Sequence, residues 1–169
     1  VTAQVPDGME RTKCGCHDCT AGCKAMPGCL IPGDIERIQG HVGDVSGEFV
    51  LSHFVVSDGA LVRKEFVDRT VEFRVPTIVP AQKPDGSCVF LDVDDKCSIH
   101  EVAPFGCAYH DTHMTAEVAA PRSEFCVATQ IESHKNGTPY SSWCTLMAEL
   151  GLVAPPMIER RNAMERLIH

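Results

Sequence analysis

Four cysteines fall within ten residues, in the run Cys14-Gly15-Cys16-His17-Asp18-Cys19-Thr20-Ala21-Gly22-Cys23, and a fifth follows at Cys29. A disulfide needs a particular Cα separation and Cβ direction, which most close sequence neighbours do not meet. Thiols this dense can instead converge on one ion or one cluster. That convergence constrains the chain more than any apolar pattern does, because a stretch so polar has little with which to fold by burial alone. The alternative is that the ten cysteines of the chain are reduced structural residues or disulfides.

The bulk numbers leave room for metal without requiring it. At 169 residues the chain fits one domain spanning residues 1–169, long enough to bury a core without covalent staples. Fifteen basic against 23 acidic side chains give a net charge of −8, which repels a phosphate backbone and argues against nucleic acid as a partner. No apolar run reaches the ~20 residues of a membrane span. No cationic, apolar leader opens the sequence, so the expected location is the cytoplasm.

Residues 1–11 read as an extended arm, and residues 14–29 as an N-terminal cysteine knot. Pro27 to Gly33 breaks any helix, after which Asp34 is placed to cap a short helix over Ile35 to Gln39. Residues 48–79 turn β-like: Phe49-Val50-Leu51, then Phe54-Val55-Val56, an Asp58-Gly59 hairpin turn, Ala60-Leu61-Val62, and Val71 to Val75 in alternation. Two or three antiparallel strands are expected there, free of cysteine and so a scaffold. After a loop from Pro80 to Gly86, Cys88 to Val93 reads as a further strand, opening a second cysteine set over residues 88–126. The C-terminal part, 115–169, reads as helices. One runs from Thr115 to about His134, and one is capped by Ser141 or Ser142 and ends near Leu150. The last follows Pro155-Pro156 and buries Met157, Ile158, Met164, Leu167 and Ile168. The expected fold class is α+β, a small antiparallel β region plus C-terminal helices organised around cysteine-ligated metal.

Thiolates suit zinc or iron–sulfur clusters over magnesium or calcium. Cys16-x2-Cys19 is a chelating bite common to both. The second set comprises Cys88-Val89-Phe90-Leu91, Cys97-Ser98-Ile99-His100-Glu101 and Ala103-Pro104-Phe105-Gly106-Cys107. Together with the knot and the Asp34-Ile35-Glu36-Arg37-Ile38 segment, it resembles the YkgJ family of zinc- or iron-chelating cysteine-cluster proteins. That family carries a C-x-x-C-x-x-C-C knot, a short helix, and then C-x-F-L, C-S-I-Y-E and R-P-x-x-C-R. The resemblance runs from Cys14 to Tyr109, with Cys126 matching a further downstream cysteine. Here the knot is respaced to C-x-C-x2-C-x3-C. His100 stands in place of the family's Tyr, and Ala103 and Ala108 in place of its two Arg.

The matched positions give eight expected metal ligands, Cys14, Cys16, Cys19, Cys23, Cys88, Cys97, Cys107 and Cys126, enough for two four-coordinate sites or for one cluster with spectators. Cys144, in an apolar helical context, reads as a buried free thiol, and Cys29 as a reserve ligand. His110 and His113 follow Cys107 directly and could complete a mixed site or supply acid–base chemistry, as could His100; the plain alternative is a polar loop with solvated imidazoles. Asp92, Asp94 and Asp95 lack the glycine and terminal glutamate of a calcium loop and read as a turn. No phosphate-binding or nucleophile-elbow motif appears.

The resemblance and the uneven spacing lead to an expected iron–sulfur protein with a four-iron (4Fe-4S) cluster, acting in electron transfer or cluster-based redox catalysis, whose acidic surface suits a basic redox or enzyme partner. The alternatives are a zinc-binding structural or interaction module, and a metalloenzyme with His100, His110 or His113 at an open metal position.

Overall fold

A computed structural model describes residues 3–169; Val1 and Thr2, the start of the expected arm, lie outside them. From Ala3 onward the arm is extended and docked. The Ala3 N–H donates to the Pro32 carbonyl at 2.9 Å, and Val5 and Met9 pack beside Ile31 and Phe105.

Among the described residues the regular structure is seven α-helices and one two-stranded antiparallel sheet, the α+β class expected. In chain order these are α1 (His17–Ala25), α2 (Asp34–Val42), α3 (Gly47–His53), β1 (Phe54–Glu65), β2 (Thr70–Pro80), α4 (Phe105–Ala108), α5 (Ala116–Asn136), α6 (Pro139–Glu149) and α7 (Met157–Ile168). A short 3-10 turn covers His100–Val102. No helix among the described residues is long and apolar enough to cross a membrane.

Several elements differ from expectation, each for an identifiable reason. Phe49-Val50-Leu51 is helical, because the Ser46 hydroxyl accepts the Phe49 N–H at 3.1 Å and caps α3. Phe49 then stacks on His53 one turn later, with ring centroids 4.3 Å apart. Asp58-Gly59 is a bulge inside β1, where the register shifts between Ser57 and Ala60, and the hairpin turns instead at Phe66 to Arg69. Gly59 has φ +66°, and a Cβ there would stand 1.8 Å from the Val75 carbonyl oxygen, so only glycine fits the bulge. Cys88 to Val93 forms no strand. Single bridges, Gln82 to Cys88 and Leu91 to Cys97, close two successive loops whose turns are held by Asp85 and Asp92.

The C-terminal helices also shift. Thr138 is the N-cap of α6 and Pro139 its first residue, so Ser141 and Ser142 lie inside the helix with their hydroxyls donating back to the Thr138 carbonyl. In α7, Ile158 is 61 % and Leu167 40 % exposed, and the inward residue is Arg160, whose guanidinium donates to Ser57 Oγ at 2.8 Å. α1, within the cysteine knot, had no apolar periodicity by which to be seen.

The main core gathers Ile35 and Ile38 of α2, Phe49 and Val50 of α3, Phe54, Val56 and Ile78 of the inner hairpin, and Tyr140, Cys144 and Met147 of α6. The outer hairpin leaves this core, with Leu61 and Phe66 exposed. Cys144 is a free, buried thiol, pushed by burial up to about 12. Tyr140 ties three segments together, since its hydroxyl donates to the Leu30 carbonyl at 2.9 Å and accepts the Ile78 N–H at 3.0 Å. Tyr140→Phe strands that buried N–H and should cost about 1–3 kcal/mol, read as a lower denaturant midpoint with unchanged slope.

Candidate metal centre

Cys14, Cys16, Cys19 and His113 bring three sulfurs and one imidazole nitrogen within 4.8 Å of one another. Cys14 precedes α1 in extended chain, Cys16 is the N-cap of α1, and Cys19 lies in its first turn. The N-terminal end of a helix favours thiolate, the form that binds metal. His113 arrives from the loop after α4, with its Nε2 3.1 Å from Cys16 Sγ. That contact draws the Cys16 thiol down to about 6 and raises the His113 imidazole. The loop is aimed by Asp111, which accepts from Thr12 Oγ1 at 2.5 Å and from the His113 N–H at 2.9 Å. Thr112 Oγ1 touches Cys19 Sγ at 3.3 Å. The group lies at the surface, with Cys16 exposed.

A second group collects Cys23, Cys88, Cys97 and Cys107. Cys23 sits one helical turn beyond Cys19 on α1, so this helix supplies a thiol to each group. The Cys88 N–H donates to the Cys23 carbonyl at 2.6 Å, and Cys97 closes the next loop against Leu91. Cys107 rides on α4, its Sγ accepting the Gly28 N–H at 3.1 Å. Burial pushes all four thiols up, Cys88 to about 12, and charge on Cys23, Cys88 and Cys97 opposes ionisation of Cys107 further. Four thiols, one buried and three half-buried, whose charges repel one another become thiolates together only beside a cation, which is the donor chemistry of a soft metal site. Cys14, Cys19 and all four members of this second group line one cavity of about 470 Å³.

The crossing that brings Cys107 into place is unusually close. A Cβ on Gly28 would stand 2.2 Å from the Gly106 carbonyl carbon, and one on Gly106 would stand 2.4 Å from the Cys29 nitrogen. Two glycines, each preceding a cysteine, let the backbones touch.

The remaining expected site residues separate from these groups. Cys126, on α5, lies with Cys29, their sulfurs 3.3 Å apart, rather than with Cys88, Cys97 and Cys107. His110 faces the 470 Å³ cavity, with Ser123 Oγ 3.4 Å from its Nε2, and burial lowers its proton affinity. His100 is exposed on the cavity rim, where its carbonyl accepts from Arg11 at 2.7 Å. The sequence named both halves of the cysteine set but not how they interleave. The signal available was the i, i+4 spacing of Cys19 and Cys23, legible only once α1 is known to be a helix.

The family model titled "CxxCxxCC: Putative zinc- or iron-chelating domain" matches residues 15–145, taking in every cysteine named above except Cys14. No curated protein and no solved structure matches the chain.

Proposed function

The chain belongs to the CxxCxxCC family of zinc- or iron-chelating domains, and from that footing we propose a metal-chelating protein whose exposed centre, Cys14, Cys16, Cys19 and His113, holds a single tetrahedral ion, with zinc the best fit. The observation that carries this is the mutual spacing of the four donors, all within 4.8 Å. Tetrahedral zinc with bonds of about 2.0–2.3 Å sets its ligand atoms roughly 3.3–3.8 Å apart, which falls inside that limit. A four-iron cluster attaches each thiolate to a different iron and so spreads them over a wider frame. Four protein donors leave no open position, so the centre serves as a closed, structure-holding site.

The iron–sulfur reading applies to the other group. Cys23, Cys88, Cys97 and Cys107 are all thiols, largely shielded from solvent, which is the donor set and setting of a redox cluster. On that reading the acidic chain docks a basic electron-transfer partner.

Anaerobic purification followed by metal and sulfide analysis and visible absorption tests both. Cys16→Ser should remove the zinc and leave any colour, whereas Cys97→Ser should remove colour and sulfide and leave the zinc. Unchanged zinc in Cys16→Ser would overturn the first reading. A colourless, sulfide-free protein would overturn the second.

A further inference from the structure

We propose that Cys29 and Cys126 form a redox-active dithiol, distinct from both metal groups, that closes to a disulfide by exchange with a low-molecular-weight disulfide. The two residues are 97 positions apart, yet their sulfurs lie 3.3 Å from each other. Cys29 comes from the segment between α1 and α2, and Cys126 from the middle of α5, so only the tertiary fold brings them together. Few atoms need to move for a bond to form.

The surroundings suit a thiol pair better than a metal site. Ile31, Phe105 and Phe125 pack around it, and among the described residues no histidine or carboxylate lies close enough to the two sulfurs to complete a ligand group with them. Gln130, one turn along α5, holds Cys126 in place, its amide donating to the sulfur at 3.4 Å and to the Leu30 carbonyl at 2.9 Å. Cys29 and Cys126 also line a second cavity of about 360 Å³ with His110, Ser123, Gln130 and Arg160. The Arg160 guanidinium there disfavours a cation and favours a thiolate. Cys29 is half-buried and is the less buried of the two, while Cys126 is buried.

The exchange balances in two steps. Cys29 thiolate attacks one sulfur of the incoming disulfide, whose S–S bond breaks; one thiol leaves and takes up a proton, and a mixed disulfide remains on Cys29. Cys126 then gives its proton to solvent and attacks the Cys29 sulfur, expelling the second thiol. The two protein thiols lose two electrons and the small disulfide gains them.

Incubation of the metal-loaded full-length protein with oxidised and reduced glutathione at graded ratios, followed by acid quench, alkylation and peptide mapping, tests the proposal. The expected result is a peptide linking Cys29 to Cys126, appearing with a single midpoint while metal content stays constant. Cys126→Ser should instead accumulate one glutathione on Cys29. Oxidation confined to the metal-group cysteines, or no link at any ratio, would overturn the proposal. So would loss of a bound ion in Cys126→Ser, which would show that the pair holds metal. The mapping of the unaltered protein stands whether or not the variant folds.

Discussion

Stripping the bound metal with a chelator at neutral pH is expected to unfold one side of the molecule and spare the other. Residues 81–104 carry almost no regular structure; two single bridges and aspartate-held turns are their main backbone order, Cys88 and Cys97 sit on those bridges, and Phe90, Leu91 and Ile99 are their apolar anchors in the main core. Without a cation, the four thiols of the second group revert to neutral groups around a cavity of about 470 Å³. Structural zinc is worth about 10–16 kcal/mol in small peptides, comparable to the whole stability of a domain, about 5–15 kcal/mol. The helices and inner strands of the main core have apolar contacts of their own and should persist. Hydrogen exchange with and without chelator checks this. Protection should collapse over residues 14–26 and 82–114, and remain at Val56, Ile78 and along α6. Uniform loss, or none, would show that metal is not what pins this side.

The second large effect is expected at Asp34. Its side chain is fully buried, and Oδ2 accepts the Ile31 N–H at 3.1 Å and the Phe105 N–H at 2.8 Å, while Oδ1 faces the Arg37 guanidinium at 2.8 Å. Burial pushes this carboxyl up, against the opposing pull of Arg37 and the two N–H groups. Asp34→Ala leaves two buried N–H donors without their acceptor and the Arg37 guanidinium with the Ala103 carbonyl alone, at a cost of about 2–5 kcal/mol. Asp34→Asn keeps one carbonyl oxygen for the N–H groups and should cost less, about 1–3 kcal/mol. Urea midpoints of both variants give the comparison. A loss under about 1 kcal/mol in Asp34→Ala would mean that both N–H groups find other acceptors. Because Phe105 stands two residues from Cys107, metal content should fall in parallel.

Asp34 also shows where the sequence was legible and where it was not. Its helix was readable from the Pro27 to Gly33 break, but aspartate before an apolar run looks like an N-cap, and nothing local reveals a partner at Phe105. α5 starts one residue from the expected position, because Ala, Val, Phe and Ile recur along it. Phe49 to Leu51 was misread because a three-residue apolar run has no period, and the deciding residue, Ser46, lies outside it. Thiol chemistry pointed to metal from spacing alone. The grouping did not follow, because α1 sends Cys19 to one centre and Cys23 to the other, and the pairing of Cys29 with Cys126 depends on how α5 crosses the chain.

The exposed centre draws its ligands from both ends of a long interval, with 97 positions separating Cys16 from His113. At about 5–20 residues per second, a ribosome needs about 5–20 s to make that interval. Cys14, Cys16 and Cys19 thus emerge well before the imidazole that completes their set. During that time they form an incomplete, surface-exposed trio of thiols, the state in which they are most open to oxidation or to capture by the wrong ion. Metal supplied during translation meets three donors, and metal supplied after release meets four.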